Sequence, residues 1–181
     1  KAAAAGEWSG AWHTLDLRAS DPLPTLAEVA GVLITGSAAS VTERAAWMER
    51  AAAYLRELVS GNVPVLGICF GHQLLGHALG GRVALNPNGR EIGSVELEVA
   101  RQDPLLGDPG SALVNMTHMD SVVELPVGAE CLASTALEPC AAVRFSRAAW
   151  GVQFHPEIDG DVLRHYVRAR REQLLAEGFA V

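Results

Sequence analysis

Residues 63–81, VPVLGICFGHQLLGHALGG, constrain this chain more than any other stretch. Val63, Pro64, Val65, Leu66, Gly67 and Ile68 form a short apolar run rich in β-branched residues, the pattern of a buried, parallel strand. Cys69 follows, framed by Gly67 and Gly71. Leu74, Leu75, Ala78 and Leu79 then recur at helical spacing until Gly80 and Gly81 end the helix. A cysteine therefore stands on a sharp strand-to-helix turn, a Gly-x-nucleophile-x-Gly elbow with sulfur in place of a serine oxygen. The glycines allow a tight turn and close substrate approach. The helix N-terminus behind Cys69 favours thiolate over thiol through its free N–H groups and positive dipole end. A lone cysteine at a strand end is more often a small buried hydrophobe. The elbow leaves both readings open, and the rest of the chain must decide.

The flanking sequence predicts alternating strands and helices. Residues 12–17 alternate weakly, compatible with an edge strand, and Asp21-Pro22-Leu23-Pro24 is a loop. Residues 29–35 read as a second buried strand ending at Gly36-Ser37. Ser40-Val41-Thr42-Glu43 is a capping box before a helix with Ala46, Trp47, Ala51, Tyr54, Leu55 and Leu58 on one face, stopped by Gly61. Strand, helix, strand, helix with short links implies a parallel sheet with right-handed crossovers. After Gly81 the pattern changes to short alternating strands over 92–99, 113–116, 121–125, 130–134, 141–145 and 149–154. Asp159 caps a last helix over 160–176. The expectation is an α/β, three-layer, open and mostly parallel sheet with helices on both faces, flavodoxin-like, and antiparallel strands toward the C-terminal half.

Composition excludes several classes. A chain of 181 residues is sized for one domain, and 14 basic against 21 acidic residues give a net charge of −7, a poor surface for nucleic acid. The basic cluster at 164–171 reads as a solvated helix face. No apolar run suffices to span a membrane, and no signal peptide is expected. Cys69, Cys131 and Cys140 fit no zinc spacing, so reduced thiols in a cytoplasmic protein are the simplest expectation. No metal site is expected: His72 and His77 do not share a helix face, and His13, His118 and His165 lack ligand partners at diagnostic spacing.

A cysteine nucleophile needs a base, and the base needs an orienter. His155-Pro156-Glu157 follows the strand Trp150-Gly151-Val152-Gln153-Phe154. Pro156 biases His155 toward extended backbone, in which positions i and i+2 project to the same side. Glu157 can then hold one ring nitrogen of His155 while the other faces the thiol, the logic of a Cys/His/acid triad.

Gly67-Ile68-Cys69-Phe70-Gly71-His72-Gln73 together with Gly151-Val152-Gln153-Phe154-His155-Pro156-Glu157 resembles the class I, triad-type glutamine amidotransferases, over residues from about Asp21 to about Asp159. Stand-alone GMP-synthase-like domains are the nearest group. The segments Val32-Leu33-Ile34-Thr35-Gly36-Ser37 and Arg90-Glu91-Ile92-Gly93 resemble theirs. The resemblance implies a single glutamine amidotransferase domain over 1–181, with the first strand and part of the first helix of the fold missing ahead of it. It implies hydrolysis of the γ-amide of glutamine without a cofactor: Cys69 as nucleophile, His155 as base and acid, Glu157 as orienter. Backbone N–H groups of Phe70, Gly36 and Ser37 would form the oxyanion hole, and Gln73, Thr117 and His118 would contact substrate. The chain has Gly36-Ser37-Ala38 where many members have Gly-Gly-Pro, which places a serine where glycine is conformationally freer. No Ser-Gly-Gly-x-Asp pyrophosphatase loop is present. Ammonia would then pass to a separate synthetase or acceptor-binding subunit, or the enzyme is simply a hydrolase. A γ-glutamyl peptidase with the same triad is the alternative, since the plant enzymes resemble this chain in their Thr-Gly-Ser loop. An inactive binding or regulatory homologue is a further one.

Overall fold

Strand β2 (Val65–Ile68) lies inside a seven-stranded sheet, and its neighbours place the site. The computed structural model describes residues 8–181; the Ala-rich opening at 1–6 lies outside the described residues. On one side β2 pairs in parallel with β1 (Val32–Ile34), and on the other, also in parallel, with β9 (Ala149–Val152). Beyond β9 every pairing is antiparallel, through β8 (Ala142–Ser146), β7 (Glu130–Ser134), β4 (Glu91–Val99) and β5 (Gly110–His118). The order is β1-β2-β9-β8-β7-β4-β5. The fold is α/β, and its sheet is mixed: among the described strands the parallel part is β1, β2 and β9 alone. A separate antiparallel pair joins β3 (Arg82–Leu85) to β6 (Asp120–Glu124).

Helices α1 (Ala46–Ser60) and α2 (Phe70–Ala78) share one core cluster with β1, β2, β8 and β9. The face of α1 that is buried runs through Met48, Ala51, Ala52, Leu55 and Leu58, spaced three and four apart. Ala46, expected on that face, is exposed. The second cluster, around Leu97, Met116, Leu132 and Phe154, is built from strands and the turns that leave them. Helix α3 (Gly160–Ala169) packs on β4 and is followed by α4 (Arg171–Ala176).

Four expectations need correction. Residues 12–16 are exposed and form no strand, because weak alternation without a neighbouring strand leaves the backbone hydrated. The strand expected over 29–35 contracts to three residues, with Leu33 exposed. The Ser40 box is present but closes a short 3-10 turn, Val41–Glu43; Arg44 at φ 52° breaks it before α1 begins. The last helix is interrupted at Arg170, although Asp159 does cap it, accepting from Asp161 N at 3.0 Å and Val162 N at 2.9 Å. The cysteines also differ from expectation. Residues flanking the β7–β8 connection bring Cys131 and Cys140 to a Cα separation of 5.3 Å, within disulfide reach, and they are bonded; Cys69 is free and buried.

Candidate active site

The elbow is real, and its strain falls on the cysteine. Cys69 sits at φ 49°, ψ −104°, left-handed backbone that a non-glycine residue adopts at a cost of about 1–3 kcal/mol. Gly67 and Gly71 are not at positive φ, so the turn does not draw on their conformational freedom. They are needed for close approach. A Cβ on Gly67 would strike the backbone of Gly71 and His72, and one on Gly71 would strike the carbonyl of Ile34. Backbone packs on backbone, drawing the first turn of α2 against both β2 and β1. The strained residue is held by Cys69 N donating to Val152 O at 2.8 Å and Cys69 O accepting from Gln73 N at 3.0 Å.

His155 reaches the same place from β9. Gly67 is opposite Gly151 and Ile68 opposite Val152 in the parallel register, so the chain leaving β9 passes beside the elbow. His155 N donates to Asn115 O on β5 at 2.9 Å, and Asn115 Nδ2 donates to Ile158 O at 2.6 Å, fixing the turn on both sides of the imidazole. His155 Nδ1 stands 2.7 Å from Glu157 Oε1. The other ring nitrogen, Nε2, is buried and, among the described residues, within hydrogen-bond geometry of no partner; Cys69 is the ionisable group beside it. Burial opposes a charge on the ring. The proximity of Cys69, the hydrogen bond to Glu157 and the charges of both outweigh it and raise His155 to about 9. Glu157, 43% exposed, is pushed up by partial burial but held below the ordinary carboxylate range by its bond to His155. The arrangement favours a charged imidazole beside Cys69.

The remaining expected residues gather here in different ways. Phe70 begins α2, where first-turn amides have no intrahelical acceptor, and its ring is buried 5.6 Å from Trp47. Gly36 passes directly over the pair: a Cβ there would lie 3.0 Å from His155 Cε1 and 3.7 Å from Cys69 Cβ. Ser37 is not in left-handed backbone, and its hydroxyl accepts from Ala39 N at 3.1 Å, so the serine sits in this loop without strain. Gln73 is buried and committed internally, its Nε2 donating to Asp120 O at 2.7 Å and Gln153 Oε1 at 3.0 Å. His118 is also buried; Nδ1 donates to Asp120 O at 3.0 Å, and Nε2 lies 3.3 Å from Glu91 Oε2. Thr117 is half-buried beside it. Sequence reasoning missed Asn115, Asp120 and Gln153 as residues that fix the site: Gln153 stands within the strand read just before His155, and Asp120 and Asn115 flank the Thr117-His118 pair, but their bonds are to residues distant in sequence.

Known proteins resemble this chain in sequence and in fold. Residues 11–170 match the family model described as glutamine amidotransferase class-I. The chain is 41% identical over 138 residues to a GMP synthase [glutamine-hydrolyzing] of Alteromonas mediterranea, covering 71% of this chain and 25% of that protein. It is 39% identical over 152 residues to one from Marinobacter nauticus, covering 76% and 28%. The chain thus spans about a quarter of the length of these relatives. Among solved structures, a glutamine amidotransferase from Methylobacillus flagellatus superposes with a TM-score of 0.76 at 28% identity, over 85% of this chain and 63% of that one. One from Thermotoga maritima, at 23% identity, shares the fold with a TM-score of 0.72 over 88% and 70%. With the elbow cysteine and the His-Pro-Glu turn side by side inside the matched region, the chain belongs to the class-I glutamine amidotransferase family.

Proposed function

We propose that residues 1–181 act as one glutamine amidotransferase domain that hydrolyses the γ-amide of glutamine and releases ammonia for transfer. The observation that carries this is the free, strained Cys69 next to a buried imidazole whose far nitrogen is held by Glu157. The Cys69 thiolate attacks the γ-carbonyl, forming a C–S bond and an oxyanion. The amides of Phe70 and of the Gly36-Ser37 loop receive that charge; one such donor is typically worth about 3 kcal/mol. Imidazolium His155 protonates the departing nitrogen as the C–N bond breaks, leaving a γ-glutamyl thioester and ammonia. Neutral His155 then takes a proton from water, which attacks the thioester, releasing glutamate and regenerating the ion pair. Glu157 keeps the ring oriented throughout and stabilises its charged form. Gln73, Thr117 and His118 form the wall for the amino-acid end of the substrate, and the bonds of Gln73 and His118 to Asp120 fix that wall in place. The likeness to GMP synthases supports a synthetase as the recipient of the ammonia.

The test is ammonia release from glutamine set against amine release from γ-glutamyl peptides, followed by mass spectrometry after a glutamine-like chloroketone. Ammonia release lost in Cys69→Ala, with one adduct on Cys69 in the parent protein, is the expected result. Faster turnover of γ-glutamyl peptides than of glutamine would replace this reading with a peptidase.

A further inference from the structure

The loop over residues 36–40 crosses the Cys69–His155 pair; of its side chains, Ala39 packs against the first core cluster. It leaves β1, a strand of three residues, and Ser37 and Ala38 are exposed. The Ser37–Ala39 bond and the Ser40 N to Glu43 Oε1 bond, 3.1 Å, are local and would move with the loop. One bond ties it to the far side of the site: the Ser40 hydroxyl donates to Asp120 Oδ2. Ser40 Oγ also accepts from Thr42 N at 3.2 Å and lies 2.6 Å from Thr42 Oγ1, so its single proton is left for Asp120.

Asp120 is itself anchored. Its carbonyl accepts from Gln73 Nε2 and from His118 Nδ1, and Gln73 N in turn bonds to the carbonyl of Cys69. We propose that Ser40 and Asp120 form a clasp that sets the oxyanion loop at a fixed height above Cys69, making both positioning residues. The inference rests on the glutaminase reading above. The clasp runs from loop to carboxylate, through Gln73, to the helix that carries the nucleophile. Opening it leaves Cys69, His155 and Glu157 in place and frees the Gly36-Ser37 amides to drift from the developing oxyanion.

The experiment compares Asp120→Ala, Asp120→Asn and Ser40→Ala in the full chain by three readouts. These are kcat and KM for ammonia release, the rate of Cys69 alkylation by iodoacetamide, and hydrogen exchange of the 36–40 amides. Losing a single oxyanion donor costs about 100- to 1,000-fold in kcat, so a loosened loop is expected to cost about 10- to 100-fold, with KM changed less than about threefold. Asp120→Asn keeps an acceptor oxygen and is expected to restore kcat to within about threefold of the parent. Alkylation, which needs no oxyanion hole, is expected to be unchanged, and loop exchange to accelerate in Asp120→Ala and Ser40→Ala but not in Asp120→Asn. Unchanged loop exchange in Asp120→Ala overturns the clasp, as does a kcat loss matched by an equal loss of alkylation or left unrelieved by Asp120→Asn. If the parent protein releases no ammonia, the glutaminase reading fails, and loop exchange alone decides the clasp.

Discussion

Replacing Glu157 by glutamine isolates the charge of the orienting carboxylate. The side-chain amide of Glu157→Gln retains an oxygen that can accept from His155 Nδ1, so the ring orientation is preserved while the negative charge is lost. A charge-assisted hydrogen bond is worth about 1.5–3 kcal/mol, and the 43% exposure of Glu157 calls for a discount toward about 1–2 kcal/mol. At 1.36 kcal/mol per pKa unit this is about one unit. The carboxylate favours the imidazolium, so its removal lowers the pKa of His155, from about 9 toward the value of free imidazole. The alkaline limb of kcat, where the imidazolium loses the proton it gives to ammonia, is expected to move about one pH unit to the acid side, with a drop in kcat of about tenfold. Steady-state ammonia release across pH measures that limb. An alkaline limb that stays at the same pH in Glu157→Gln would refute the reasoning that the carboxylate holds the imidazole charged.

Three further outcomes are expected. Gly71→Ala drives a methyl into the backbone of Ile34, which cannot rotate away; overpacking of this kind costs about 1–3 kcal/mol, read as a lower Tm, and glutaminase activity falls with it. His72 is fully buried without hydrogen-bond partners, and burial, with a smaller push from His118, lowers it to about 3. The unfolded chain takes up that proton near its ordinary value, so the contribution of His72 to stability is present above about 6.5 and lost as pH falls toward about 3. His72→Leu is accordingly expected to move the acid-unfolding midpoint to lower pH, and an unmoved midpoint would contradict it. His155 has the opposite sign: its contribution is full below about 6.5 and lost as pH rises through about 9, so His155→Gln is expected to flatten the alkaline side of a stability-against-pH curve measured by urea unfolding.

Much of the site could be read from the chain because its chemistry is local. Cys69 between two glycines and His155 two residues before Glu157 are constellations a linear sequence displays. Gly36 and Ser37 followed from resemblance, and the structure lays Gly36 over the pair. The clasp between Ser40 and Asp120, and the Asn115 carbonyl that fixes His155, join residues far apart in sequence, and neither leaves a periodic trace. The strand expected over 12–17 failed because alternation records which faces a strand would have, not whether a neighbour exists to pair with it. The cysteines Cys131 and Cys140 were read as free because spacing alone does not show what approaches across the β7–β8 connection.

By itself, then, the sequence determined the elbow, the order of strand and helix around it, and the candidacy of Cys69, His155 and Glu157 as a proposed triad. These depend on backbone conformation and on neighbours within a few positions, where sterics and hydrogen-bonding capacity act directly. Tertiary structure decided that the positive φ belongs to Cys69 while the glycines serve close packing, that Gln73 and His118 spend their hydrogen bonds inside the protein, and that the loop over 36–40 is tied to Asp120 at Ser40. Each of those depends on which distant backbone comes to lie alongside, and that is set by the parallel register of β2 against β9 and by the packing of α2 on β1.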